Sequence, residues 1–263
     1  SGLFTNYTTS QGLPTNNIVA LASDPITGNV YMGGNVGEFA RFNGTTWSVL
    51  PGVTQFFYIT VDISGDVWGG TNNGVSKFNG AAWSVVGALA AVTNTILVDA
   101  LGNLWAGTGT TLRRYNGSVW FEFPKNNGLS SNSVMDVKIA QNKIWFGTYN
   151  GGVSCYDPAS DSWANYLSST SVYKLLFDSI NSVYWIAKYG GGVSKFDGVS
   201  TWTDYTTANT AGGLVDNSVQ AVALDSSGNI WFGTNNGVSK FDGVSTWTVY
   251  TNANTGGGLA ANY

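Results

Sequence analysis

This sequence contains few side chains that could perform acid–base chemistry or bind a metal ion. Histidine is absent, which removes the commonest general base and the commonest metal ligand. The two glutamates, Glu38 and Glu122, each lack a neighbouring acid that would suggest a glycosidase pair. A phosphate-binding loop, a nucleophile elbow and a Cys/His arrangement are also missing. We therefore predict that the chain is not an enzyme and has no catalytic residue and no cofactor.

Aspartate recurs in short turns, where it would serve either as a calcium ligand or as a turn cap. Asp62, Asp99 and Asp225 open the segments DISGD, DALGN and DSSGN. A calcium loop needs ligands at alternate positions and a distal glutamate, which these segments lack. An aspartate that caps the turn, followed by a glycine at positive φ, fits them better. The prediction is structural aspartates and no metal site.

One position of a repeated segment carries a basic residue in five copies and the single cysteine, Cys155, in the remaining copy. The basic residues stand before an aromatic residue in the other copies of a repeated segment: Arg41, Lys77, Arg114, Lys195 and Lys240. One cysteine cannot form an internal disulfide, so a structural thiol is favoured over a reactive one. For the basic series we favour solvated positions that discourage sheet-edge aggregation over an anion-binding ring.

The tryptophans reveal the elements that position these side chains. Five of the eleven follow a short turn, mostly Gly-Asn or Gly-Asp and one further residue: Trp68, Trp105, Trp145, Trp185 and Trp231. The other six close each repeat after a Phe/Tyr-Asn/Asp turn, at intervals of 36 to 45 residues: Trp47, Trp83, Trp120, Trp163, Trp202 and Trp247. Six copies with this period and a hydrophobic periodicity of two predict four-stranded propeller blades without helices.

Strands can be assigned within the sixth copy. Val219–Leu224 is an apolar run suited to an inner strand buried on both faces, and Ile230–Thr234 and 238–241 form the middle of the blade. Residues 247–251 are then the outermost strand. The pairs Asn43-Gly44, Asn79-Gly80, Asn116-Gly117, Asp197-Gly198 and Asp242-Gly243 are strong hairpin signals.

The unit GNIWFGTNNGVSKFDG at 228–243, with linkers such as GLSSNSV at 128–134, resembles the two-component regulator propeller repeat. That family forms β-propellers in periplasmic sensor domains and in secreted or surface proteins, notably of Bacteroidetes-type bacteria. The resemblance covers nearly the whole chain and implies an all-β, six-bladed propeller in a single domain, 1–263. It also implies a secreted, cell-surface or periplasmic location. A propeller that cleaves streptogramins has a similar repeat, but its activity depends on a histidine.

The composition and charge of the chain limit the kinds of molecule that it is expected to bind. The chain has 10% charged residues and a net charge of −4, and its eleven basic residues are dispersed, which argues against nucleic-acid binding. No stretch reaches the roughly 20 apolar residues that span a bilayer, so membrane insertion is not expected. Glycan and protein are the partners that remain.

Copies five and six are nearly identical, so a binding site is expected where the copies differ. In a propeller, the inner strands begin around the central channel at one face, where ligands commonly bind. The residues that differ at these starts are Phe57, Tyr58, Asp136, Tyr173, Lys174 and Gln220. We predict that they form a ligand-binding site on the channel face. In the competing interpretation the aromatic residues fill the channel and Asp136 pairs with Lys174.

Both ends of the chain carry what looks like an outermost strand, since residues 4–8 align with 247–251. Six blades need one of them. We expect the chain to be part of a longer protein and to be a monomer, although the duplicated strand would permit strand exchange between copies.

Three functional hypotheses follow. The first is a non-catalytic extracellular or surface recognition or scaffold propeller that binds glycan or protein through its channel face. The second is the ligand-sensing ectodomain of a hybrid two-component sensor. The third, an uncharacterised lyase or hydrolase, has the least support because no acid/base pair is evident.

Overall fold

The computed structural model describes residues 5–87, 89, 91–99, 101–124 and 128–259. These residues form six four-stranded antiparallel sheets, the architecture of a six-bladed β-propeller, so the predicted fold class is confirmed. Apart from a short 3₁₀ turn at Thr9–Gln11, the described residues contain no helix, and none that would cross a membrane. In every sheet the strands are neighbours in chain order.

The chain divides into two compact units. One unit is Tyr7–Val137 and includes blades 1 to 3, while the other comprises the described residues of Ser1–Asn6 and Lys138–Tyr263. The second unit includes blades 5 and 6 and most of blade 4. A single domain over 1–263 stays a prediction.

The strands of blades 1 to 3 have the following bounds: β1 (Ile18–Ser23), β2 (Val30–Gly34), β3 (Phe39–Phe42), β4 (Trp47–Leu50), β5 (Phe56–Val61), β6 (Val67–Thr71), β7 (Gly74–Phe78), β8 (Trp83–Val85), β9 (Thr93–Val98), β10 (Leu104–Thr108), β11 (Leu112–Tyr115) and β12 (Trp120–Phe123).

The strands of blades 4 to 6 are β13 (Val134–Ala140), β14 (Lys143–Thr148), β15 (Gly152–Asp157), β16 (Ser162–Tyr166), β17 (Val172–Asp178), β18 (Val183–Lys188), β19 (Gly192–Phe196), β20 (Trp202–Tyr205), β21 (Val219–Leu224), β22 (Ile230–Thr234), β23 (Gly237–Phe241) and β24 (Trp247–Tyr250). In the sixth blade the bounds differ from the predicted ones by at most one residue at either end.

An aspartate joins the first turn of the blade to the tryptophan of the second strand. In blade 3, Asp99 accepts hydrogen bonds through Oδ1 from the amides of Leu101 and Asn103, and through Oδ2 from the indole Nε1 of Trp105 at 3.0 Å. We call this arrangement the Asp–Trp clamp. The same clamp occurs at Trp68 with Asp62 and at Trp231 with Asp225. The predicted structural role of these aspartates is therefore confirmed.

The basic series has a different role from the predicted one. Each basic residue lies on the third strand, which is paired on both sides, and not on a sheet edge. In four blades the cation lies over the aromatic ring directly opposite on the second strand, at 4.9 to 5.5 Å: Lys77 over Trp68, Arg114 over Trp105, Lys195 over Trp185 and Lys240 over Trp231. The series is therefore a set of cross-strand cation–π pairs, and edge protection is not its role.

Cys155 occupies the same position in blade 4, directly opposite Trp145. Its side chain is buried, and burial raises the pKa of the thiol to about 11. The neutral thiol packs on the indole as a small apolar group, in agreement with the structural role predicted for it.

The closing tryptophans pack one blade against the next. Trp202 stacks on Phe196 of its own third strand at 4.1 Å and contacts Tyr166 of the preceding blade at 5.8 Å. Trp83 lies 5.0 Å from Phe39 of the preceding blade, and its indole N–H donates to the Pro51 carbonyl. Ring packing of this kind holds neighbouring sheets in a fixed arrangement within each unit.

The inner strand of blade 6 differs from the expected burial on both faces. In β21, Val219 is fully buried, and Val222 and Leu224 pack against the cluster that contains Trp185. Ala221 and Ala223 on the other face are exposed. Within its unit, blade 5 thus covers one face of β21, and the small alanines leave little apolar area on the other face.

An outermost strand was predicted at the N-terminus, but residues 5–8 do not form a strand. Thr8 caps the 3₁₀ turn through its side chain, so the local hydrogen bonds are made within the turn and not with a sheet. Tyr7 instead packs edge-on against Phe42 at 5.1 Å and against Trp47. Phe4 lies outside the described residues.

Replacing Asp99 with alanine tests the Asp–Trp clamp. The indole N–H of Trp105, which is 1% exposed, would lose its acceptor, and we expect unfolding to become easier by about 1 to 3 kcal/mol. Urea unfolding monitored by tryptophan fluorescence measures this change. Leu101→Ala, an exposed side chain of the same turn, is the control and should leave the urea midpoint unchanged. Equal effects of both substitutions would refute the clamp.

Truncating Trp185 tests the packing of the first tryptophan series. Trp185 is 1% exposed within the core of its unit, so Trp185→Ala should cost about 3 to 5 kcal/mol in unfolding free energy. Trp231 is only partly buried, and Trp231→Ala should cost less. Chemical denaturation of both variants decides the order, and a larger loss at Trp231 would contradict the burial shown by the structure.

Two hairpin carboxylates should make the fold sensitive to acid. Amide hydrogen bonds, led by Val199 for Asp197 and by Thr246 for Asp242, hold the pKa of each carboxyl below its ordinary value of 3.8. Because the pKa is lowered in the folded state, the stabilisation is present above the ordinary value and is lost as the pH falls through the lowered one. Denaturation midpoints at pH 7 and at about pH 2.5 measure this loss.

The double substitution Asp197→Asn/Asp242→Asn is the matched variant for that experiment. Asn43 accepts the equivalent amide bonds from Thr45 and Thr46 in blade 1, so asparagine preserves the turn and removes the titration. The variant should lose less stability between the two pH values than the parent protein. An identical loss would assign the acid sensitivity to other groups.

Candidate functional site

The inner strands of five blades contain an extra residue near their beginning. In blade 5, Val172 pairs with Lys188 and Lys174 pairs with Ala187, so Tyr173 has no partner opposite it. The same register shift occurs in blades 1, 2, 3 and 6 and leaves these residues unpaired in the ladder: Val19, Phe57, Asn94 and Gln220. We call these the bulge positions. Bulges of this kind direct a side chain away from the sheet.

Three of the predicted site residues lie in the unit Tyr7–Val137. Phe57 is a bulge residue with 36% of its surface exposed. Tyr58, the next residue, is half-buried and packs against the cluster that contains Val75 and Ile96. Asp136 is completely buried, so its carboxylate is not presented to solvent. Phe57 is the member of this group that offers an accessible surface.

The other three predicted residues lie in the second unit. Tyr173 and Gln220 are both bulge residues, in blades 5 and 6. Gln220 is exposed, and its amide donates to Asn235 Oδ1 in the second turn of blade 6. Lys174 follows Tyr173 and is half-buried. The structure thus places Tyr173 and Gln220 at equivalent positions, while the convergence of all six residues on one pocket stays a prediction.

Two further tyrosines lie beside Tyr173. Tyr189, in the turn between β18 and β19, is 52% exposed, and its ring makes an edge contact of 5.4 Å with the ring of Tyr173. Tyr149, in the equivalent turn of blade 4, is 46% exposed and contributes to the raised pKa of Tyr173. Tyr149, Tyr173 and Tyr189 form what we call the tyrosine cluster.

Sequence reasoning missed Tyr149 and Tyr189, although a signal for them was present. Blades 2 and 6 have asparagine directly after the second strand, at Asn72 and Asn235. Tyrosine takes that place in blades 4 and 5 alone. A comparison of turns, in addition to that of inner strands, would have identified both residues.

Ser171 forms hydrogen bonds with both of the turns that contain Tyr149 and Tyr189. Its hydroxyl donates to Asn150 Oδ1 at 2.8 Å and accepts from the Asn150 amide at 3.1 Å, and its carbonyl accepts from the Tyr189 amide at 3.0 Å. Ser171 also immediately precedes Val172, which is fully buried. The cluster therefore stands on backbone that is fixed from both sides, which reduces the ordering cost of binding.

An ion pair between a buried lysine and an exposed aspartate lies next to the turn of blade 5. Lys188 is 7% exposed, and its Nζ donates to Asp204 Oδ1 at 2.7 Å. Burial opposes ionisation of Asp204, but hydrogen bonds from Lys188 and Ser194 outweigh it and hold the carboxyl pKa below its ordinary value. The Asp204 carboxylate thus stays ionised at neutral pH, and its hydrogen bond holds the side chain of Lys188, which directly precedes Tyr189.

The tyrosine cluster offers uncharged groups for contact with a ligand. Burial, with smaller contributions from Tyr149 and Tyr189, raises the pKa of Tyr173 above its ordinary value of 10.0. Its hydroxyl is therefore protonated at neutral pH and can donate a hydrogen bond while the ring offers an apolar face.

Within the described residues no group of three acidic, cysteine or histidine side chains is placed to hold a metal ion.

Comparisons with known proteins agree with this architecture. The sequence model of the two component regulator propeller matches residues 213–236. The fold is similar to the extracellular domain assigned to a hybrid two-component system of B. thetaiotaomicron, with a TM-score of 0.79 and 19% identity over 91% of this chain and 35% of that one. A second extracellular domain from B. thetaiotaomicron, assigned to a one-component system, has a TM-score of 0.77 and 20% identity over 94% and 34% of the two chains.

The chain thus spans about a third of the length of these extracellular domains. It also resembles virginiamycin B lyase from Staphylococcus aureus, with a TM-score of 0.73 and 13% identity over 94% of this chain and 87% of that one. The solved lyase is a histidine-to-alanine variant described as catalytically inactive, and the present chain has no histidine.

No protein with a curated description matches the chain in sequence. The resemblance drawn from the repeated unit is confirmed by the family match at 213–236 and by the six-bladed fold. The chain is a six-bladed β-propeller, and its residues 213–236 match the two component regulator propeller.

Proposed function

We propose that the chain is a non-catalytic recognition propeller that binds a glycan through the tyrosine cluster of blades 4 and 5. The observation that carries this proposal is the pair of exposed rings of Tyr149 and Tyr189, held on turns that Ser171 fixes. Aromatic rings that are half exposed on rigid backbone offer apolar faces for stacking without a large entropic cost.

The surroundings of the cluster suit a sugar better than an apolar ligand. Asn150 is exposed and offers its side-chain amide beside the rings, and the Lys188 ammonium is neutralised by Asp204. Stacking faces combined with amide and hydroxyl groups match a ring that is apolar on its faces and hydroxylated at its rim.

A sensing role is the second candidate. The similarity in fold to extracellular domains of two-component and one-component systems supports an ectodomain that passes ligand binding to a signalling partner. We place the chain outside the cytoplasm on the same ground. The lyase similarity gives the fold alone, and with no histidine we propose no chemistry for the site.

Replacing Tyr149 and Tyr189 with asparagine tests the glycan site. Asparagine occupies the equivalent turn positions Asn72 and Asn235, so the double variant should fold normally. A thermal-shift screen against bacterial, algal and plant polysaccharides identifies the ligand class by mass action, and titration calorimetry then gives its affinity. We expect the double variant to bind the identified glycan at least about tenfold more weakly, or by about 1.4 kcal/mol.

Phe57→Asn serves as the comparison variant, since Asn94 occupies the same bulge position in blade 3. An unchanged affinity for Phe57→Asn restricts the site to the tyrosine cluster, and a loss extends it to the predicted residues of the first unit. Full affinity in the Tyr149→Asn/Tyr189→Asn variant would remove the tyrosine cluster from the site. Absence of any thermal shift would favour a scaffold or a protein-binding module.

A further inference from the structure

A cleft of about 540 Å³ separates the outer parts of blades 1 and 2, within the unit Tyr7–Val137. Blade 1 contributes Tyr31 and Arg41, and blade 2 contributes Asp66, Lys77 and the hairpin residue Asn79. The cleft lies at the end of the blades that contains the Asp–Trp clamp turns, and it shares no residue with the tyrosine cluster. We call it the Arg41 cleft.

Arg41 differs from the other basic residues of its series. The cations of Lys77, Arg114, Lys195 and Lys240 lie over aromatic rings, and Lys77 also bridges Asp66 at 2.6 Å. The buried Nε atoms of Arg41 and Arg114 both lack a hydrogen-bond partner in the described structure, but the Arg114 guanidinium lies over aromatic rings. Among the described residues, neither a carboxylate nor an aromatic ring pairs with the Arg41 guanidinium. A guanidinium that pairs with no carboxylate and no aromatic ring of its own chain is suited to an acceptor from outside the chain, with which it forms charge-assisted hydrogen bonds.

The equivalent cleft between blades 5 and 6 provides an internal comparison. It has a volume of about 340 Å³ and contains the cation of Lys195 together with the carboxylates of Asp178 and Asp242, so negative charge prevails. In the Arg41 cleft, Asn79 takes the place of Asp242, and Arg41 and Lys77 outnumber Asp66. Two homologous clefts of one chain thus have opposite charge balance, and the positive one contains the unpaired guanidinium.

The walls of the Arg41 cleft define the remainder of the ligand. Tyr31, Val67 and Phe78 are buried residues whose side chains form its apolar lining, and Leu50 is half-buried beside them. A guanidinium above an apolar wall suits a planar carboxylate attached to an apolar body, because the fork of N–H donors matches the two carboxylate oxygens.

We propose that the Arg41 cleft is a binding site for a small organic acid, with the carboxylate held by Arg41 and the apolar body packed against Tyr31 and Leu50. Lys77, which forms an ion pair with Asp66, also lines the cleft and provides a second positive charge. The site is independent of the proposed glycan recognition.

The test uses 3-phenylpropanoate as the probe and its neutral amide as the control ligand. Titrations followed by ¹H–¹⁵N spectra that include the arginine Nε–H signals report on the Arg41 side chain directly. We expect the acid to shift the Arg41 Nε–H signal and the amides of Asn79 and Gly80, and to bind at least about tenfold more tightly than the amide. Equal binding of acid and amide would overturn the proposal.

Substitutions separate this site from its homologue. Arg41→Gln should weaken binding of the acid at least about tenfold, and Lys195→Gln in the cleft between blades 5 and 6 should leave it unchanged. Asn79→Asp gives a second variant with a natural hairpin residue, since Asp242 occupies that place in blade 6, and the added carboxylate should also weaken binding. Full affinity in Arg41→Gln or in Asn79→Asp would refute the assignment.

Inorganic phosphate distinguishes the carboxylate site from a general oxyanion site. We expect phosphate to displace the acid weakly, because it has no apolar body to pack against Tyr31 and Leu50. Binding of phosphate that is tighter than that of 3-phenylpropanoate and depends on Arg41 would overturn the carboxylate assignment. The tyrosine variants Tyr149→Asn and Tyr189→Asn should bind the acid like the parent protein, so failure of one proposal leaves the other standing.

Discussion

A single carboxylate performs two tasks in the Asp–Trp clamp, and much of the blade depends on it. Asp99 closes the turn between the first two strands with one oxygen and holds the Trp105 indole with the other. The indole in turn supports the cation of Arg114 on the third strand. Turn, second strand and third strand are thereby linked through one chain of contacts, so their register is set together.

Blade 5 lacks this clamp, and aromatic packing holds its tryptophan in place. In blade 5 the aspartate at the same turn, Asp178, binds Ile180 and Asn181, and the Trp185 indole N–H has no partner in the described structure. Trp185 nevertheless packs in a core with Phe232 and is fully buried. Aromatic contact between neighbouring blades therefore compensates for a missing hydrogen bond, which explains why copies with different turns share one architecture.

Sequence alone predicted the blades well because their determinants are local. The Asn79-Gly80 hairpin, the turn aspartates and the spacing of the tryptophans act within a few residues, and the observed strands follow them closely. The role of the basic series was missed because cross-strand facing depends on register, which a linear pattern does not give. The site was harder still: Asp136 is buried, while Tyr149 and Tyr189 lie on turns. Solvent exposure at a strand start or a turn depends on packing between blades, and no spacing rule encodes it.

The bulge positions have a consequence for how such a repeat diversifies. A residue such as Tyr173 or Gln220 has no partner across the ladder, so exchanging its side chain alters neither the register nor the hydrogen bonds of the sheet. Valine, phenylalanine, asparagine, tyrosine and glutamine all occur at this place within one chain. Each duplicated blade thus adds one site whose side chain can change without altering the strand pairing. A repeat built in this way can acquire new specificities while its framework is selected separately for stability.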